Sequence, residues 1–100
     1  MLLYHFSPGW NDDRILSNGL LSLGASGRVW FVRPSRFSWA YQHLGRHHQC
    51  KPVGFSVYRV SIPRCRCFRV RRGVWASVFP VARSELFPII LAGKEVSNGH

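Results

Sequence analysis

The stretch Val29-Trp30-Phe31-Val32-Arg33-Pro34-Ser35-Arg36-Phe37-Ser38-Trp39-Ala40-Tyr41-Gln42-His43-Leu44 changes its hydrophobic period partway along. Residues 29–32 are apolar and β-prone, and Pro34 follows them, which predicts a short strand. From Ser35 onward the apolar residues recur at the helical spacing i, i+3, i+4 and i+7, namely at Phe37, Ala40, Tyr41 and Leu44. The stretch therefore predicts a strand followed by an amphipathic helix over residues 35–44, with Ser35 as its N-cap and Gly45 as its end.

The segments on either side predict more strands and one more helix. Apolar runs indicate strands at residues 2–6, 55–62 and 84–91, a strand or extended chain at 65–70, and extended chain at 74–81. Asn11-Asp12-Asp13 precede a short helix over residues 14–18. Gly19 is expected to close that helix in a left-handed conformation, and Pro88 makes the last strand an edge strand. Residues 45–52 read as a polar loop. This order predicts an α+β fold with mostly antiparallel strands, as a single domain over residues 1–92 with a flexible tail at 93–100.

Charge is the strongest feature of the composition. Fourteen Lys and Arg, twelve of them Arg, oppose four acidic residues, and the formal net charge is +10. Arg pairs bidentately with phosphate and stacks on planar groups, so this balance favours a polyanionic partner such as nucleic acid or a dinucleotide. The other interpretation is that most of these Arg side chains are simply solvated.

Location follows from features that the sequence lacks. No stretch reaches the length of a membrane span, and no basic leader precedes an apolar segment at the N-terminus. We therefore expect a cytoplasmic protein that does not enter the membrane.

The three cysteines, Cys50, Cys65 and Cys67, are an odd number, which argues against a disulfide framework. On a strand, Cys65 and Cys67 would share one face, where two small core residues are the simplest interpretation. His47-His48-Gln49-Cys50 could join them in a metal site. The Cys-x-Cys spacing is not that of a zinc knuckle, however, and no metal is expected.

Two pairs of polar side chains indicate a binding site. His5 and Ser7 would share one face of the first strand and could hydrogen-bond ribose hydroxyls or an amide. Ser38 and Tyr41 lie three residues apart on the predicted helix, so Tyr41 and Trp30 could enclose a flat ring while Ser38 binds an amide. Ordinary structural roles for His5, Trp30 and Tyr41 remain the alternative.

In this order the motifs resemble the ADP-ribosyltransferase-like superfamily. The resemblance rests on Tyr4-His5-Phe6-Ser7, on the helix leading to Gly19-Leu20, and on Val29-Trp30-Phe31 followed by Ser38-x-x-Tyr41, which is similar to the poly-ADP-ribose polymerase branch; the RNA 2′-phosphotransferases are a second related branch. It covers nearly the whole chain in short, degenerate pieces. It implies a split, twisted sheet with two short helices and NAD as co-substrate.

Roles for individual residues follow from the resemblance. His5, with Ser7 beside it, would bind the ribose next to nicotinamide, Ser38 would contact the carboxamide, and Tyr41 would close one face of the ring. Trp30 stands where the family has a stacking Tyr. Arg28 is one of three Arg residues, with Arg14 and Arg33, that lie near enough in sequence to meet the diphosphate.

The resemblance also implies a catalytic Glu at the head of a late strand. Glu85, in Arg83-Ser84-Glu85-Leu86-Phe87, occupies that place and would act with His5. It would hold the ribose and stabilise the positive charge that develops as nicotinamide leaves. The expected function is transfer of ADP-ribose from NAD to a macromolecular acceptor, with nucleic acid preferred. One alternative is a non-catalytic, basic nucleotide- or nucleic-acid-binding domain that uses the same groove. Another is a basic nucleic-acid-binding β domain unrelated to the family, with Arg on exposed strand faces and aromatic side chains that stack on bases.

Overall fold

The computed structural model describes residues 1–20, 27–47 and 54–91. The strands are β1 (Leu2–Pro8), β2 (Val29–Val32), β3 (Phe55–Ser61), β4 (Phe68–Arg71), β5 (Val74–Ser77) and β6 (Leu86–Ile90). The helices are α1 (Asp12–Asn18) and α2 (Phe37–His47), and single 3-10 turns lie at Gly9–Asn11, Pro34–Arg36, Arg64–Arg66 and Arg83–Glu85. The strands form one sheet in the order β4-β5-β2-β1-β3-β6, and every neighbouring pair is antiparallel. The predicted small α+β domain with antiparallel strands and two short helices is confirmed.

Each face of the sheet packs against one helix, because alternate side chains of a strand point to opposite faces. We call them the α1 face and the α2 face. The larger core lies on the α1 face, where Ile15 of α1 packs with buried residues of the sheet and its loops, namely Leu3, Leu20, Val29, Phe31, Tyr58, Val60, Ile62, Trp75 and Val81. On the α2 face, Ala40 packs with Val32 and Val74, flanked by Tyr4, Phe6, Phe37 and Trp39. The sheet is therefore the middle layer of three.

The junction between β1 and β2 is short. β1 pairs with β3 along its whole length, from Leu2 opposite Ser61 to Pro8 opposite Phe55, but it meets β2 at a single registered pair, Tyr4 opposite Val32. Next to this pair, a side-chain hydrogen bond also joins the two strands, because His5 Nδ1 on β1 lies 2.7 Å from the carbonyl oxygen of Trp30 on β2. The two halves of the sheet thus join over a narrow seam in the middle of the domain.

The prediction of a strand or extended chain over residues 65–70 is wrong at its start. Pro63 is followed by a 3-10 turn at Arg64–Arg66, which the Cys67 N–H closes by donating to the Arg64 carbonyl at 3.2 Å, and β4 begins only at Phe68. Cys65 is exposed, whereas Cys67 packs partly against the α1-face core. The two cysteines therefore do not share a strand face.

Other element boundaries also differ from the expected ones. α1 begins at Asp12, two residues early, and α2 begins at Phe37, after a 3-10 turn that contains Ser35, and continues through Gly45 to His47. β5 ends at Ser77 rather than running on, because the Ser77 hydroxyl accepts the Phe79 N–H and donates to the Phe79 carbonyl, both at 3.0 Å. The predicted tail at 93–100, His48 and Cys50 lie outside the described residues.

The last strand, β6, lies at one edge of the sheet, as the proline in it predicts. Pro88 lies opposite Tyr58 of β3, and the register shifts between Val57 and Tyr58. None of the helices in the described part of the chain is long and apolar enough to cross a membrane.

Candidate nucleotide-binding site

A cavity of about 240 Å³ opens on the α2 face, between the sheet and helix α2. We call it the α2-face cavity. Its floor is the row Tyr4, Val32 and Val74, which are cross-strand neighbours on β1, β2 and β5, and Trp30 borders this row on β2. The wall opposite comes from α2, and the remaining side from Phe6, Phe31 and Arg71. The sheet and helix α2 therefore both line the cavity.

Aromatic rings give the cavity its shape. On α2, Trp39 and His43 lie one helical turn apart and stack, with ring centroids 5.1 Å apart and planes 24° from parallel. Behind them, Phe37 packs edge-on against Tyr4 at 5.0 Å, which fixes the start of the helix on β1. The stacked pair on α2 and Trp30 on β2 thus provide ring surfaces on two sides of one cavity.

Two arginines lie at the borders of these rings. The Arg71 guanidinium lies 6.0 Å from the Trp39 ring centroid, and the Arg28 guanidinium lies 6.0 Å from that of Trp30. Both are exposed, as expected for cations that keep their charge in water beside an aromatic face. The cavity therefore combines an aromatic lining with two exposed positive charges beside its rings.

His5 faces the other side of the sheet. It lies opposite Tyr58 on β3, on the α1 face, where its ring meets Phe31 edge-on at 6.1 Å. Because the Trp30 carbonyl only accepts hydrogen bonds, the proton of the neutral imidazole is on Nδ1, and Nε2 is left as an acceptor. Burial lowers the pKa of His5, although the hydrogen bond to Trp30 acts in the opposite direction, so the neutral form is favoured.

The Ser7 side chain makes hydrogen bonds within the turn after β1. It is buried, its hydroxyl donates to the Pro8 carbonyl at 3.3 Å, and it accepts from Asn11 Nδ2 at 3.2 Å. Asn11 in turn accepts from Arg14 at 2.7 Å. These bonds hold the turn between β1 and α1, so the Ser7 hydroxyl is already engaged.

Ser38 and Tyr41 lie on α2 but not among the residues that line the α2-face cavity. Tyr41 is 58% exposed and contacts Phe55 edge-on, with centroids 4.2 Å apart. Ser38 is exposed. The helix side chains that line the cavity with Trp30 are Trp39 and His43, so the structure does not bring Tyr41 and Trp30 around one ring-sized space.

Glu85 lies immediately before β6, at the head of the last strand as the sequence indicates. Its carboxylate accepts from Arg66 at 3.1 Å and from the Ala82 N–H at 3.0 Å, and Arg66 also donates to the Pro80 carbonyl at 3.0 Å. β3 separates β6 from β1, so at least two strand spacings, roughly 10 Å, lie between Glu85 and the strand that carries His5. The structure does not bring Glu85 and His5 into one cavity.

The cavity residues that sequence reasoning did not assign to the site include Trp39, His43 and Arg71. The first two carry a usable signal, because residues four apart on a helix share a face. Arg71 carries none, since its position depends on a register shift between Arg69 and Arg71, where β4 pairs with β5.

Comparison with protein-family models, with curated proteins and with solved structures found no significant match to this chain. By its fold and its site, the protein is a small basic α+β domain with an aromatic cavity that arginines border.

Proposed function

We propose that this domain binds a nucleotide, with a planar ring inserted in the α2-face cavity. The observation that carries the proposal is the arrangement of Trp30 on β2 and the stacked Trp39 and His43 on α2 around one space of about 240 Å³. Ligand sites are typically concave and apolar with a few polar groups, and enclose about 300–1,000 Å³ for a drug-sized ligand. A slightly smaller space suits one ring with its sugar, rather than a whole dinucleotide.

Charge supports a phosphate outside the ring site. Arg71 and Arg28 lie beside the rings that border the cavity, and a guanidinium pairs with phosphate through two parallel hydrogen bonds. The resemblance to ADP-ribosyltransferase-like domains suggests NAD as the ligand, because NAD has a flat ring, a ribose and a diphosphate in that order.

The proposal predicts that Trp39→Ala weakens NAD binding about tenfold, the effect of losing one aromatic stacking partner. The measurement is a calorimetric titration of the protein with NAD and with nicotinamide mononucleotide. Trp10→Ala is the matched control, because Trp10 is an exposed tryptophan in the turn before α1 and lies outside the cavity. Equal affinities for the two variants, or no NAD binding by the unaltered protein, would contradict the proposal.

Transfer of ADP-ribose is the second candidate function, and the hydrogen bonding of His5 supports it, although His5 lies on the α1 face rather than in the α2-face cavity. The bond to Trp30 leaves Nε2 as an acceptor at the seam between β1 and β2, and a neutral imidazole in this state can bind a ribose hydroxyl. In this proposal a macromolecule accepts the ADP-ribose. The catalytic role of Glu85 rests on the resemblance alone, because β3 separates its strand from that of His5.

This candidate predicts that the protein releases nicotinamide from NAD, and that His5→Ala and Glu85→Gln each reduce the rate at least a hundredfold. Chromatography of free nicotinamide measures it. Asp13→Asn is the control for the loss of a carboxylate, because Asp13 is exposed on α1. NAD that binds but stays intact would leave the domain as a non-catalytic nucleotide-binding protein and refute the transferase.

A further inference from the structure

A second surface shares Trp30 and Arg71 with the α2-face cavity and extends beyond it along β4, at the edge of the sheet opposite β6. Phe68 of β4, Ala76 of β5 and Trp30 of β2 are cross-strand neighbours and therefore lie in one row on the α2 face. Ala76 is fully buried, whereas Phe68 and Trp30 are each 39% exposed. We call these two rings, with Arg28 and Arg71, the β4-edge surface.

Arg28 joins the two rings of the β4-edge surface. Its guanidinium lies 5.3 Å from the Phe68 ring centroid and 6.0 Å from that of Trp30. A guanidinium is flat and weakly hydrated, so it can stack on a ring with one face and offer the other face or its N–H groups to a ligand. The row thus presents alternating aromatic and cationic groups at the surface.

An irregularity in β4 adds Arg71 to the same side. Residues three apart on a regular strand point to opposite faces, but the register between β4 and β5 shifts between Arg69 and Arg71. As a result, Arg71 lies opposite Val74 and beside Trp39, on the α2 face, as does Phe68. The shift therefore places a ring and a guanidinium of one edge strand on one side of the sheet.

More positive charge follows at the end of this edge. Arg72 lies in the turn after β4, and its carbonyl accepts a hydrogen bond from Arg36 Nε at 2.9 Å. The Arg33 N–H donates to the Gly73 carbonyl at 2.9 Å, so the segment before α2 is fastened to the same turn. The Arg36 side chain and the backbones of Arg33 and Arg72 thus meet at the turn beside the β4-edge surface.

Negative charge is absent from this region of the sequence. No Asp or Glu occurs between Arg14 and Ser84, while all twelve Arg lie within residues 14–83. Of the acidic residues that the structure describes, Asp12 and Asp13 lie on α1, and Glu85 is paired with Arg66 before β6. The β4-edge surface is therefore complementary in charge to a polyanion.

We propose that the β4-edge surface binds single-stranded nucleic acid, with bases stacked on Trp30 and Phe68 and phosphates paired with Arg28, Arg71 and the arginines of the following turn. Single strands are favoured over duplexes because only unpaired bases offer their faces to protein rings. The chemistry is common to DNA and RNA, since a stacked base and a phosphate occur in both. This interaction goes beyond nucleotide binding in the cavity and does not require it.

Fluorescence anisotropy with labelled 12-nucleotide single strands of DNA and RNA, and with the matched DNA duplex, tests the proposal. We expect at least one single strand to bind at least tenfold more tightly than the duplex, and its affinity to fall about tenfold between 50 and 200 mM salt. Binding to neither strand, or equal binding of the duplex, would overturn the proposal. The titration contains no NAD, so its outcome is independent of the nucleotide proposal.

Two matched variants locate the interaction. Phe68→Ala should weaken binding of the single strand about tenfold, through the loss of one stacked base. Phe87→Ala is the control, because Phe87 is also a phenylalanine beside an arginine but lies on the opposite edge strand, with the Arg59 guanidinium 4.7 Å from its ring centroid. This variant should keep its affinity within about twofold of that of the unaltered protein. Equal losses in the two variants would show that the surface is not the binding site, and so would no loss in either.

Discussion

Replacing Asp12 with alanine is expected to lower the free energy of unfolding by about 3 kcal/mol, a large share of the stability of a domain of this size. Asp12 is only 2% exposed, and each of its carboxylate oxygens accepts a hydrogen bond from β3. The Tyr58 hydroxyl donates at 2.6 Å and the Ser56 hydroxyl at 2.8 Å. Burial, reinforced by the bond to Asp12, raises the pKa of Tyr58, so this hydroxyl remains a donor at all ordinary pH values.

The loss arises because the substitution leaves two buried hydroxyl groups without their acceptor, and each such group costs about 1–3 kcal/mol. The same carboxylate fastens α1 to the sheet across more than forty residues of sequence, with a separation of 44 to Ser56. Urea unfolding of the Asp12→Ala variant measures the change in the free energy of unfolding. It appears as a lower midpoint concentration of urea, with the dependence of the free energy on urea unchanged.

Asp13→Ala serves as the control for Asp12. It removes the same charge from the same turn of α1, but its side chain is exposed, where charge interactions and the helix dipole contribute little, so a loss within about 1 kcal/mol is expected. If the two variants were equally stable, the buried Asp12 contacts would not hold α1 on the sheet.

Gly19→Ala is expected to cost about 3 kcal/mol as well. Gly19 ends α1 with φ 77° and ψ −167°, a conformation that residues other than glycine adopt at a cost of about 1–3 kcal/mol. An added Cβ would also collide with the Val81 carbonyl oxygen and lie 2.9 Å from the Arg83 nitrogen. Both atoms belong to the backbone at or next to the bridge between Leu20 and Val81, whose two hydrogen bonds measure 2.9 and 2.8 Å. The segments that carry Gly19 and Val81 must therefore move apart to admit the Cβ.

Gly27→Ala separates the two causes. Gly27 also has a positive φ, of 65°, but a Cβ there meets nothing within 4 Å among the residues that the structure describes. The free energy of unfolding of the Gly27→Ala variant should therefore fall only by the conformational cost of a positive φ, about 1 kcal/mol. Thermal and urea unfolding of both variants measure the difference, and a Gly19→Ala loss no larger than that of Gly27→Ala would refute the close approach to Val81.

Local sequence patterns predicted most of the secondary structure. Val29–Val32 is a strand at the predicted bounds, because four apolar β-prone residues before a proline have few other conformations. Gly19 has the predicted positive φ, and Pro88 lies in an edge strand. The strand or extended chain predicted at 65–70 is wrong only at its start, because alternating Cys and Arg imitate a strand, while Pro63 begins a turn.

Contacts between distant segments were not predictable from these patterns. Asn11-Asp12-Asp13 were expected to cap α1, yet Asp12 lies inside the helix and its carboxylate binds β3. Nothing local distinguishes it from the exposed Asp13. The position of Arg71 depends in the same way on a register shift between two strands.

The candidate site was predicted in part. Trp30 was placed correctly beside helix α2, because a strand and the helix that follows it pack together. The partner on the helix was expected to be Tyr41, but Trp39 and His43 line the cavity. The helical pattern alone could not tell which side of α2 faces β2 and which faces Phe55. The catalytic roles of His5 and Glu85 and the use of NAD stay predictions.

The proposal that a nucleotide ring enters the α2-face cavity is tested most directly by the four tryptophan indole N–H resonances of the protein. Trp30 and Trp39 line the cavity, whereas Trp10 lies before α1 and Trp75 packs in the α1-face core. In a titration with NAD, followed by proton–nitrogen correlation spectra, we expect the Trp30 and Trp39 signals to shift together and those of Trp10 and Trp75 to remain. Shifts confined to Trp10 or Trp75, or no shift at millimolar NAD, would contradict it.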